Sequence, residues 1–206
     1  MKIAIIGAGG HAKVVLDALS LMKSFPVSAT CLIDPAKAGH RFAGLPVLAS
    51  ARELKPASFI VAIGDNARRK RCFEEMLLLG WQPINAVHPS AIIARQVALG
   101  RGTFIGPNVV INPDAQIGDN VIVNSAAVVE HDCRIGSHSH VAPGSALGGG
   151  VQVGEGALVG IGSTVCPLGV VGNWSVLGAG AVLLERLDEG ATGIGVPARV
   201  KRGKEE

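Results

Sequence analysis

A period of six residues governs the C-terminal half of this chain. Every sixth position from Val87 to Leu183 is Val, Ile or Leu, seventeen times without a break. If such residues fill roughly a quarter of positions, chance produces that run about once in 10^10, so it is a structural repeat. Gly follows nine of the seventeen, and the fourth position after the aliphatic is small in most repeats, as at Ala115, Ala127, Cys133, Ser139, Ser145, Ala157 and Ser163. One branched and one small inward residue per hexapeptide fit one flat side of a narrow three-sided coil of about 18 residues. Gly, Asn or Asp three after the aliphatic (Gly102, Asn108, Asn120, Asp132, Gly144, Gly150) supplies corner dihedrals that bulky residues resist. Twenty-eight glycines and the absence of tyrosine agree with such an interior.

Residues 2–80 follow another rule. "KIAIIG" is a short apolar run of the kind buried on both faces of a parallel sheet. "GHAKVVLDALSLM" has apolar residues at helical spacing, "SATCLID" and "ASFIVAIG" read as strands, and "ARRKRCFEEMLLLG" reads as a helix closed by Gly80. The expectation is an α/β N-terminal half-Rossmann (βαβαβ) domain over 1–82, a parallel β-helix over 83–187, and a tail over 188–206.

The coil turns sequence offsets into positions. With Val129 and Cys133 inward, Glu130, His131 and Asp132 fall at a corner and face out, so His131 is not a packed core histidine. Gly149, 18 residues on, lies one strand spacing above it, and Pro113 lies one coil below. His140 is half a coil away, on another side of the prism. Glu130 occupies a slot usually filled by Gly. Cys133 reads as an inert inward thiol and His138 as a solvated corner.

In the first half, "GAGGHA" follows a strand and opens a helix, as in dinucleotide-binding loops. A dinucleotide needs two mononucleotide halves, and only one fits before residue 81. Gly7, Gly9, Gly10, His11, Asp34, Gly64 and Asn66 are therefore expected to grip one nucleotide, with Arg69 reaching a phosphate and the rest of "RRKR" forming a solvated face. A formal charge of +3 gives no argument for nucleic acid. Four widely spaced cysteines read as reduced thiols, with no disulfide framework and no metal site. The first residues form an apolar run too short for a signal peptide or a membrane span, so a cytoplasmic protein that does not engage a membrane is expected.

"GAGGHAKVV", "LID", "AIGDN" with Arg69, "NSAAVVEHDCRIGSHSHVAPGSALGG" and "GVPAR" together resemble the bacterial nucleotide-sugar acetyltransferases of the bacillosamine-pathway and sialic-acid O-acetyltransferase type. The resemblance runs nearly end to end. It implies a left-handed β-helix and a homotrimer with acetyl-CoA as co-substrate between neighbouring helices. It makes His131 the general base, oriented by Asp132, with Glu130 or Asn124 as substitutes for that role, and gives the thioester oxygen to the Gly149 N–H. It places His140, from a neighbouring subunit, with Arg199 and Lys201 near CoA. The implied reaction is N-acetylation of a UDP- or other NDP-4-amino-sugar. O-acetylation of a sialic acid, or a non-catalytic scaffold or nucleotide sensor, are the alternatives.

Overall fold

The structure, a computed structural model, describes residues 2–22, 28–52, 54–55 and 57–201. At the centre of the N-terminal sheet is β1 (Lys2–Ile6), paired in parallel with β2 (Ser28–Ile33) and β5 (Ser58–Val61). Alternate residues of β1 enter different cores. Ile5 packs with helix α1 (Gly10–Leu21), whereas Ala4 and Ile6 pack with Phe73 and Met76 of helix α2 (Asn66–Leu78). That two-sided burial is why the strand has no polar alternation. Asp65 caps α2 by accepting the Arg68 N–H at 2.7 Å, and Gly80, at φ 79°, follows its end.

The second helix of the unit follows β5, not β2. Between β2 and β5 the chain makes a 3-10 turn (Pro35–Lys37) and a hairpin of β3 (Arg41–Phe42) and β4 (Leu45–Leu48), and β4 lies parallel beside β2. After α2, β6 (Gln82–Pro83) completes the sheet beside β5.

From Ala86 onward the chain is a three-sided parallel β-helix built of two-residue strands. Each strand pairs with one 18 residues on, as in Val110↔Val128 and Val128↔Ala146. In the last coil the step shortens, with Val170↔Arg186 and Val176↔Thr192, and Thr192–Ile194 still stacks on the sheet before an antiparallel partner, Arg199–Val200, ends the described chain. The inward aliphatics and small residues form one buried column. Its serines satisfy their hydroxyls on corner carbonyls: Ser145 donates to Ala142 O and Gly160 O, and Ser163 to Gly160 O. Corners lie in the left-handed region, at Asn108, Asp114, Asn120, Asp132 and Gly144 among others.

The three faces differ outside. On the first, Phe104 and Ile122 join Ala8, Ala12 and Val15 in one core, which seats the N-terminal domain on the β-helix. The second face points Ile92, Val110, Val128, Ala146, Thr164 and Val182 outward, and Ile92 is 65% exposed. The third shows Gln116, Arg134, Gln152 and Arg186.

Candidate functional site

His131 sits at the corner between the second and third faces. Val128–Val129 runs into that corner and Arg134–Ile135 leaves it. Asp132, at φ 61°, makes the turn, which suits a short polar side chain. The same residue accepts from the imidazole, with Nδ1 to Oδ2 at 2.7 Å. Nδ1 therefore carries the proton of the neutral ring, and Nε2 keeps its lone pair free. The bond to Asp132 raises the pKa of His131 above its ordinary value, partial desolvation opposes that, and the charges of Asp132 and Glu130 reinforce the rise. Glu130 is otherwise engaged, accepting from Asn112 Nδ2 at 2.9 Å, so Asp132 is the residue that holds the ring.

One coil above, the Gly150 N–H donates to His131 O at 2.9 Å and fixes the stacking. A Cβ on Gly149 would lie 2.7 Å from both Cε1 and Nε2 of His131. A larger residue here would push the exposed ring beneath it aside. Among the described residues the Gly149 N–H has no acceptor. A free imidazole nitrogen and a free backbone donor thus share one exposed edge, the arrangement a base and an oxyanion donor need. Cys133 points inward, donates to Gly148 O, and has its thiol pKa raised by burial.

The glycine loop builds a second centre. Gly7, at φ 104°, lets the chain turn within 2.9 Å of the Ile63 side chain, measured from where a Cβ would stand. Helix α1 starts without a side-chain cap, leaving its first N–H groups available to an anion. Asp34 braces the loop, accepting from Ala8 N–H at 3.1 Å and Ala36 N–H at 3.2 Å. A cavity of about 320 Å³ opens here, lined by Gly7, Gly9, Gly10, His11, Asp34 and Gly64. Lys37 and Arg68 line it too, and sequence reasoning missed both.

Arg69 corrects the expectation placed on it. It is 1% exposed, and its guanidinium donates to the carbonyls of Ile63, Gly64, Asn120, His138 and Ser139. It clamps the two domains and has no nitrogen left for a phosphate. Burial lowers its pKa to about 10, still charged at neutral pH. The signal was in the helix period: Arg69, Phe73 and Met76 share the buried stripe of α2, and Arg68 lies off it. Asn66 also ties domains, donating to Gly156 O and Ala157 O. His138 is not a solvated corner. It is buried under α2, edge-on to Phe73, with Nδ1 beside Asn120 Nδ2 at 2.9 Å. Nor is "RRKR" wholly solvated, because Lys70 reaches Glu155 and lies over Trp174. The reason is common to all four: α2 packs on a β-helix corner, which no local pattern announces.

His140 lies on the first face, between the β-helix and the N-terminal domain. Ser125 N–H donates to Asn124 Oδ1, which turns the Asn124 amide nitrogen toward His140 Nε2 at 3.1 Å. Burial, then the charges of Arg69 and His11, push the His140 pKa down to about 3. His11, edge-on to Phe104, is lowered to about 4 by burial and Arg69, and its Nε2 is buried without a partner. So His11, Gly64, Arg69, Asn124 and His140 converge, while His131, Asp132 and Gly149 stand on a different edge of the same chain. Arg199 and Lys201 are exposed at the last coil, and residues 202–206 of the tail lie outside the described residues. Among the described residues no three His, Cys, Asp or Glu are grouped to hold a metal ion, and no helix is long and apolar enough to cross a membrane.

Residues 2–76 match the PglD N-terminal domain family, and residues 114–149 the bacterial transferase hexapeptide (six repeats) family. The chain is 36% identical over 110 residues to the UDP-N-acetylbacillosamine N-acetyltransferase of Bacillus subtilis, a match covering 50% of each. It is 31% identical over 115 residues to the GDP-perosamine N-acetyltransferase of Escherichia coli, covering 52% of each. These matches span about half the length of the curated relatives. The likeness to PerB from Caulobacter crescentus, solved with CoA and GDP-perosamine, extends over 98% of both chains at 39% identity, with a TM-score of 0.90. With a PglD-type α/β domain, a hexapeptide β-helix and end-to-end likeness to a solved acetyltransferase, the chain belongs to the PglD-like hexapeptide-repeat family of bacterial nucleotide-sugar acetyltransferases.

Proposed function

We propose that this chain transfers an acetyl group from acetyl-CoA to the amine of a nucleoside-diphosphate 4-amino sugar, as a homotrimer whose sites lie between copies. The observation that carries the reading is the His131 edge, where Nε2 is free, Asp132 holds Nδ1, and Gly149 stacks one coil above with its Cα side closed by the ring and its N–H without an acceptor among the described residues. His131 Nε2 takes a proton from the sugar amine as its nitrogen attacks the thioester carbonyl. The Gly149 N–H donates to the oxyanion, an interaction typically worth about 3 kcal/mol. The C–S bond then breaks, the amide forms, and the imidazolium returns its proton to the CoA thiolate. No acyl-enzyme is required.

The two centres stand on different sides of one prism, so a single copy does not bring them together. The outward stripe of the second face, apolar from Ile92 to Ala146 and again at Val182 with Thr164 between, favours burial against another copy, and His131 lies at the edge of that stripe. A neighbour seated there would bring its own His11 and His140 region toward this His131, with the nucleotide held in the glycine-loop cavity. Arg199 and Lys201 are proposed to meet CoA phosphates and His140 the acetyl-CoA end of the site. A cytoplasmic location suits reduced thiols and a CoA substrate.

Incubation with acetyl-CoA and a panel of NDP-amino-sugars and sialic acids, with thiol release recorded, tests the reading. Release with a 4-amino sugar and not with sialic acids is expected. Release only with sialic acids would replace it by O-acetylation, and no release with any of them would favour a non-catalytic role.

A further inference from the structure

The reading above leaves the nucleobase open, since the curated relatives named for this chemistry divide between UDP and GDP sugars. A second cavity, of about 270 Å³, adjoins the glycine-loop cavity and shares Gly7, Ile63 and Arg68 with it. Its walls are apolar, including Ile6, Ile33, Pro35, Met76 and Leu79. The polar groups at this cavity include Ser50 and Glu75. Arg52 Nη2 stands 3.5 Å from Glu75 Oε1. The two cavities meet at Gly7, Ile63 and Arg68, with the apolar slot on one side and the uncapped start of α1, Lys37 and His11 on the other. A nucleoside-diphosphate sugar has parts to match: a flat base with its ribose, a diphosphate, and a sugar.

We infer that this slot holds the base and that Glu75 selects guanine. A carboxylate offers two acceptors side by side. Guanine alone among the common bases presents two adjacent donors, N1–H and the N2 amino group, on its Watson–Crick edge. Uracil and thymine place a carbonyl on either side of their single N–H, so the second carboxylate oxygen would face a carbonyl. Adenine and cytosine set a bare ring nitrogen beside their amino group, with the same repulsion. Selection therefore comes as much from unpaired oxygens in the wrong complexes as from two charge-assisted bonds in the right one.

The inference rests on the glycine loop being the nucleotide site, and its test needs no acetyl transfer. Calorimetric titration of the full-length protein with GDP, UDP, dTDP and ADP, without acetyl-CoA, should show GDP at least tenfold tighter than the others. Glu75→Gln should reduce GDP to the level of UDP. Lys37→Met should weaken GDP and UDP by the same factor, because Lys37, whose Nζ donates to Ala8 O on the glycine loop, borders the glycine-loop cavity and not the base slot. Thermal melts of both variants report folding. A pyrimidine diphosphate binding as tightly as GDP, an undiminished GDP preference in Glu75→Gln, or saturation by none of the four would overturn the inference. Tight GDP binding by a protein that releases no thiol would leave it standing and sink the acetyltransferase reading. Turnover of UDP-sugars without GDP preference would do the reverse.

Discussion

His131 and His140 lie nine residues apart in one repeat, yet their rings have opposite fates. His131 stands on an uncovered corner with a carboxylate at 2.7 Å, and its pKa is raised. His140 projects from a face covered by the N-terminal domain, near Arg69 and His11, and its pKa falls to about 3. The solenoid offers both the same backbone. What separates them is the covering: burial and a neighbouring cation favour a neutral ring, while exposure beside an acid favours a basic one. A repeat makes positions, and packing makes their chemistry.

Removing the basic ring breaks this contrast most severely. His131→Asn is expected to lower kcat by roughly 10^2- to 10^4-fold while leaving the fold intact, measured by thiol release and a thermal melt. Near-normal turnover would strike out the base assignment. Next comes the covering itself. Arg69→Met removes five hydrogen bonds, three of them buried, and should destabilise the protein by about 3 kcal/mol in denaturant unfolding. It should also raise the His140 pKa, followed by NMR titration, as a nearby cation is lost and water enters.

Gly149→Ala perturbs only the exposed edge. Its methyl would press on Nε2 and Cε1 and push the ring aside, for a loss of roughly tenfold to hundredfold in kcat with little change in melting temperature. Asp132→Asn keeps a residue suited to the corner and a bond to Nδ1 but removes the charge. Since Asp132 raises the His131 pKa, the acid limb of the kcat profile should move to lower pH, with a modest loss of plateau rate. An unmoved limb would show that His131 does not set it.

The buried pair predicts the mildest effect near neutrality. His11 and His140 have folded pKa values of about 4 and about 3, below the unfolded 6.5. As pH falls through 6.5 the unfolded chain binds protons that the folded one refuses, so stability is full above that pH and declines below it. At pH 6 the loss should be on the order of 1 kcal/mol or less for each ring, read as a lower melting temperature than at pH 7.5. His140→Gln should flatten that slope.

The β-helix was legible because its rule is local and repeated. Val129 and Cys133 face in, Asp132 turns the corner and Gly149 stacks over His131, all from counting by six and eighteen. Of the second centre, the glycine loop and Asp34 were legible from a strand–turn–helix pattern. Arg69, Asn66 and His138 were misjudged because their surroundings come from residues 50 to 90 positions away. Lys37 and Arg68 were missed because a charged residue in a turn or a basic helix face carries no mark of the cavity it borders.

Sequence by itself determined the coil: a six-residue period admits one inward side chain pattern, and backbone pairing propagates it with no information from afar. Tertiary structure alone decided which outward residues meet solvent and which meet another domain. The docking of α1 and α2 depends on the joint shape of two surfaces, and so the electrostatics of His11, Arg69 and His140 belong to the assembled fold.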